Sequence, residues 1–119
     1  MILGFNKRFP KPIHDKIKIH TIREDRYNRW KVGRIIHMAT GVRTKLYKCF
    51  YRCKCTGTQS IHIFYKDEQT FVRVDDKPLT RKQVVVLALN DGFNSIDDFF
   101  AWFNKDFSGK IIHWTDFRY

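Results

Sequence analysis

The chain has 119 residues, 43% of them hydrophobic and 16% aromatic, with a formal net charge of +11. That suits one domain with one core, residues 1–119, and excludes a disordered tail. No run of 18 apolar residues is present, which excludes a membrane-spanning helix; the opening MILGFNKRFPKP has neither an apolar stretch nor a small-residue cleavage site, so a cytoplasmic protein is expected.

MILGF reads as a short apolar strand. In NKRFPKPIHDK, Pro10 and Pro12 suit the first turn of a short helix. Residues 18–24 read as a second strand, RYNRWKVG as a loop, and Arg34–Ala39 as a third strand. TGVRTK is a basic connection. Residues 46–65 are rich in β-favouring side chains but interrupted at Thr56-Gly57-Thr58, which predicts one long bent strand or a pair. TFVRV is a further strand, closed by the turn DDKP. Two helices follow. Thr80, with Gln83 three residues on, forms a capping box, and Gly92 is a left-handed stop. Ser95 starts the second helix, whose Ile96, Phe99, Phe100 and Phe103 form one apolar stripe for the core. GKIIHW is the last strand. This order predicts an α+β fold: a small mixed β-barrel with helices packed at its side and ends.

The charge is segregated. Residues 1–60 hold 15 Lys and Arg against 3 acids, net +12, and residues 61–119 hold 8 against 9, net −1. A concentrated basic half attracts a polyanion, so RNA or a nucleoside or nucleotide ligand is the expected partner. The alternative is a well-solvated surface with no ligand. A membrane surface is disfavoured, because the basic half holds no amphipathic helix with a broad apolar face. Cys49, Cys53 and Cys55 are odd in number and follow a C-x3-C-x-C spacing unlike a zinc ribbon or finger. Free thiols are expected, with no metal and no other cofactor.

The stretch Lys16-Ile17-Lys18-Ile19-His20-Thr21-Ile22-Arg23 resembles the second-strand fingerprint G-x-K-x-x-E-x-R of ASCH domains, within the PUA-like group. Lys18 and Arg23 match; Lys16 replaces the Gly and Thr21 the Glu. A Thr at that place is similar to the small bacterial N4-acetylcytidine amidohydrolases of this class, which use a Lys, a Thr and a later Glu. The later acid corresponds best to Asp91 in ALNDGF. The layout fits over most of the chain, the motif only over these few residues. The resemblance implies a PUA-like barrel that binds RNA or a modified nucleoside. It implies as alternatives an amidohydrolase acting on N4-acetylcytidine, or an RNase-like activity that no pair of His residues supports. A module whose basic face binds an acidic protein is a further alternative.

Amide hydrolysis needs a nucleophile, a base and a group to hold the developing oxyanion. Thr21 would attack or position a water. Lys18 would serve as base if burial beside Arg23 made it neutral, and Asp91 would orient Lys18 or pass a proton to the leaving amine. Positions 18 and 21 differ in strand parity, so this scheme requires Lys18 to lie before the regular strand or at a bulge. The structural alternative makes Lys18 a solvated edge lysine, Thr21 a β-favouring filler and Asp91 the end of a helix turn. Around the pocket, Arg26, Arg29, Trp30, Lys31 and Arg34 would line the approach, and Arg43 and Lys45, with Lys48, Arg52 and Lys54, would extend a phosphate track. Tyr27 or Trp30 would stack a base for roughly 1–3 kcal/mol. Trp30 has a packing alternative across a barrel end.

Overall fold

The computed structural model describes residues 1–119. The first strand, β1 (Ile2–Gly4), leads into a one-turn helix α1 (Pro10–His14) that begins on Pro10. Strand β2 (His20–Arg23) starts two residues later than expected, because Lys18 and Ile19 are spent on another contact: their backbone N–H groups donate to Pro12 O and Asn90 O. Strand β3 (Ile35–Thr40) is followed by β4 (Lys48–Lys54) and β5 (Gly57–Lys66), so the long β-favouring stretch is a pair broken at Cys55-Thr56. Strands β6 (Gln69–Val74) and β7 (Lys77–Pro78), helices α2 (Arg81–Asn90) and α3 (Ile96–Trp102), and β8 (Phe107–His113) complete the α+β chain.

The ladders build two open sheets, β1-β3-β4 and β2-β8-β5-β6-β7. This corrects the barrel expected from the sequence: no ladder closes the sheets into a cylinder. One corner is shared. Cys55 N–H pairs back to Arg34 O, while the next N–H, of Thr56, donates to His113 O, so the chain changes sheet within two residues. The opposite seam, between β1 and β2, is bridged by a side chain: Arg23 Nη2 donates to Gly4 O at 2.7 Å. The two strands pair instead on their other edges, β1 to β3 and β2 to β8.

Alternation along β5 and β6 turns Ile61, Ile63, Val72 and Val74 into the core. There they meet Val84, Leu87 and Ala88 of α2 and Phe99 of α3. Burying a side chain the size of Phe99 stabilises the fold by roughly 1.5–3 kcal/mol. The rest of the α3 stripe, Ile96, Phe100 and Phe103, packs half-buried against that core. Trp30 is only 5% exposed and belongs to it, which settles its role as packing. No helix is long and apolar enough to cross a membrane.

Candidate functional site

The site is organised by the way α2 ends. Its start is the predicted capping box: Thr80 Oγ1 accepts from Gln83 N–H at 3.2 Å and Gln83 Oε1 accepts from Thr80 N–H at 2.8 Å. Its end is a left-handed Gly92 at φ +89°, with Gly92 N–H on Leu89 O and Phe93 N–H on Ala88 O. Asp91 is thereby the last residue before the reversal, and its carbonyl faces outward along the helix axis with the partial negative charge of a helix C-terminus. Lys18 meets that charge. Its Nζ donates to Asp91 O at 2.5 Å and to Asp91 Oδ1 at 3.2 Å. Gly92 is required twice over, since a Cβ there would come within 3.0 Å of Lys18 Cδ in addition to the positive φ.

Lys18 precedes β2, so the parity difference from Thr21 does not separate them. Both line one cleft of about 290 Å³ together with Arg23 and Asp91. The cleft lies along the β1–β2 seam that no ladder closes, and Gly4 forms part of its wall. Thr21 and Arg23 share a face of β2, and Arg23 Nε donates to Thr21 Oγ1 at 3.2 Å. An oxygen that accepts from a guanidinium keeps its own proton free to donate. Aromatic rings make the remaining wall. Phe9 and Phe93 are buried, while Trp102 is 48% exposed. Lys18 Nζ sits 4.6 Å from the Phe9 ring centre, and the Arg23 guanidinium 4.9 Å from that of Phe5.

Lys18 is 2% exposed, which overturns the solvated-lysine alternative. Burial lowers its pKa from the ordinary 10.5 to about 8; the Asp91 charge and hydrogen bond oppose that drop, and Arg23 and Arg8 add to it. Burial also lowers the pKa of Arg23, which nevertheless remains a cation. His20, on the other parity of β2, is fully buried behind the cleft. Its Nδ1 lies 3.0 Å from Asp91 Oδ1 and its Nε2 2.5 Å from the Tyr119 hydroxyl. Burial is the largest influence on its pKa and lowers it, so the ring is neutral. A carboxylate only accepts, so Nδ1–H donates to Asp91 and Nε2 accepts from Tyr119. Asn90 Nδ2 donates to the same Tyr119 hydroxyl at 3.2 Å.

The structure therefore brings together Lys18, Thr21, Arg23 and Asp91 and leaves the other candidates outside the cleft. Arg26 is exposed and pairs with Glu24 at 2.9 Å. Arg29, Lys31 and Arg34 are exposed on the loop before β3, and Arg43 and Lys45 on the connection between β3 and β4. Trp30 is buried and does not reach the cleft. Sequence reasoning missed His20, Tyr119, Phe9, Phe93 and Trp102. Phe93 had a signal, as the residue after a glycine helix stop, where an apolar side chain commonly folds back. His20 and Tyr119 had none, being 99 residues apart.

No protein-family model, curated protein or solved structure matches the chain.

Proposed function

We propose that the cleft binds a nucleoside, as a PUA-like domain of the ASCH class. The observation that carries this reading is the convergence of Lys18, Thr21, Arg23 and Asp91 on one aromatic-walled cleft. The cleft holds the buried Lys18 and the half-buried Arg23 beside aromatic walls, with Asp91 and Glu24 also in its lining, and a flat heteroaromatic ring with carbonyl acceptors suits both the cations and the rings. The carbonyls take hydrogen bonds from Lys18 and Arg23, and Trp102 offers a partly open face for the ring. The fingerprint match at Lys18, Thr21 and Arg23 supports the same class. The exposed Arg29, Lys31, Arg34, Arg43 and Lys45 then attract the phosphates of an RNA carrying that nucleoside.

The depressed pKa of Lys18 favours a second reading, hydrolysis of the N4-acyl amide of cytidine. No hydrogen bond joins Lys18 Nζ to Thr21 Oγ1, so a water between them is the nucleophile this arrangement serves best. Neutral Lys18 takes a proton from that water as its oxygen attacks the acyl carbon. Arg23 and the Thr21 hydroxyl hold the oxyanion. The C–N bond breaks, and the proton passes from Lys18 to the departing amine, leaving cytidine and acetate. Asp91 and His20 hold Lys18 in place.

Calorimetric titration with cytidine and N4-acetylcytidine at pH 7 tests the binding reading: both are expected to bind, with Lys18→Met abolishing the heat. Absence of binding by either nucleoside contradicts it. Release of cytidine across pH 6–9 tests the second reading, with a rate that rises through pH of about 8. Binding without turnover leaves a recognition site.

A further inference from the structure

The basic half of the chain accounts for the whole excess charge, yet a second concentration of cations lies in the other half, where the net is −1. Strands β5 and β6 turn alternate residues outward. Phe64 and Phe71 are register partners, and their rings stack at 5.1 Å and 15°. The His62 ring follows 4.9 Å from Phe64. These three rings form one strip on the face of the hairpin opposite Ile61, Ile63, Val72 and Val74, which are buried. Phe71 remains 39% exposed.

Beside the strip runs a groove of about 550 Å³ between β6 and the start of α2. Lys66, Arg73 and Arg81 stand around it, and no acidic residue lines it. None of the three cations makes an ion pair, although the molecule pairs Arg8, Lys11, Lys18, Arg26 and Lys110 with acids. Arg73 also lines an adjoining cleft of about 330 Å³, which His62 and Asp76 share. The two hollows meet at one arginine, with the aromatic strip alongside.

We propose that this groove is a binding site for single-stranded nucleic acid, separate from the Lys18 cleft. A base stacks on the exposed Phe71, whose ring Phe64 backs, and successive phosphates lie on Lys66, Arg81 and Arg73. One feature selects a strand over a single nucleotide: Lys66, Arg73 and Arg81 all stand unpaired around the one groove, more cations than a single phosphate engages. A flat apolar face beside unpaired cations matches a base and its phosphate and tolerates any base, because every base presents a π-face. An acidic peptide would satisfy the cations and leave the ring strip unused.

The test is fluorescence anisotropy with a labelled eight-residue oligouridylate and its deoxythymidylate counterpart at low salt. Phe71→Ala is expected to weaken binding roughly 5- to 150-fold, the loss of one base stacked on an aromatic ring. Arg73→Ala with Arg81→Ala should reduce the slope of log affinity against log salt by roughly 0.7 per phosphate contact removed. Lys105→Ala, exposed and outside the groove, serves as the unchanged control. Saturating cytidine should leave the oligonucleotide bound, which separates this site from the nucleoside cleft. Three results overturn the proposal. One is binding equal in wild type and in Phe71→Ala/Arg73→Ala/Arg81→Ala. The second is loss of binding only when Arg29, Lys31 and Arg34 are replaced. The third is an affinity for the oligonucleotide no higher than that for uridine monophosphate, with complete displacement by the saturating mononucleotide, which would define a single-nucleotide pocket.

Discussion

Lys18 and Lys31 are the same residue type in the same basic half of the chain, and they live in opposite surroundings. Lys31 is solvated, with no acid beside it, on a loop with Arg29 and Arg34. Lys18 is enclosed by Phe9, Gly92 and Asp91, with its ammonium on a helix C-terminus. Solvation leaves the first an ordinary charge, useful for long-range attraction and screened within about 8–10 Å at physiological salt. Enclosure lowers the pKa of the second and makes its protonation depend on its neighbours. Charge count finds the first kind of lysine; only the fold finds the second.

The sharpest way to break this contrast is to remove one partner of the buried pair. Asp91→Ala leaves the Lys18 ammonium buried without its carboxylate and is expected to cost about 3–5 kcal/mol in urea unfolding. Lys18→Met alone strands the Asp91 carboxylate in the same way and should cost a similar amount, whereas Lys18→Met with Asp91→Asn removes both charges, keeps an acceptor for His20 and should recover most of that loss while still ending nucleoside binding. A double variant as unstable as Asp91→Ala would mean that the pair holds the fold and is not retained for function. Gly92→Ala comes next, at roughly 1–2 kcal/mol for the left-handed backbone alone, with the lysine displaced in addition. Its signature is a drop in nucleoside affinity beyond what the shift in midpoint explains.

The pair also writes itself into the pH profile. The pKa of Lys18 is about 8 when folded and 10.5 when unfolded. Between those values the unfolded chain holds a proton that the folded chain has lost, so the Lys18 contribution to stability rises with pH across that window. The difference in unfolding free energy between wild type and Lys18→Met should therefore shift in favour of wild type from about pH 8 upward. The smallest effect is expected at the surface. Replacing Arg29, Lys31 and Arg34 together by Ala should change stability by no more than about 0.5 kcal/mol per site and should show instead in the salt dependence of RNA binding.

Local chemistry made much of this structure readable in advance. The capping box at Thr80, the stop at Gly92 and the proline-initiated α1 each depend on neighbours a few residues away, and each stands where the sequence placed it. Strand β2 was read from residue 18, with a place before it or at a bulge demanded for Lys18 only by the catalytic scheme; the strand begins at His20. That the sheets stay open was not readable, because strand β2 pairs with β8 across His20 and His113, and nothing local says whether β1 also joins them. Lys16 adopts a left-handed φ of +61°, a conformation that glycine takes at less cost. The residues expected along the approach lie outside the cleft for the same reason that Lys18 lies inside it. Loop cations have no apolar neighbours to enclose them, whereas Phe9, Phe93 and Trp102 converge only once α1, α2 and α3 are packed.

The account stands most directly on the protonation of one amine. Carbon-13 NMR of the Lys18 ε-carbon, assigned by its loss in Lys18→Met and followed against pH with and without N4-acetylcytidine, reads that amine alone. A midpoint near 8 that moves when the nucleoside is added is the predicted result. A midpoint at the ordinary 10.5, unmoved by the nucleoside, would show a solvated lysine and contradict both the enclosed site and its ligand.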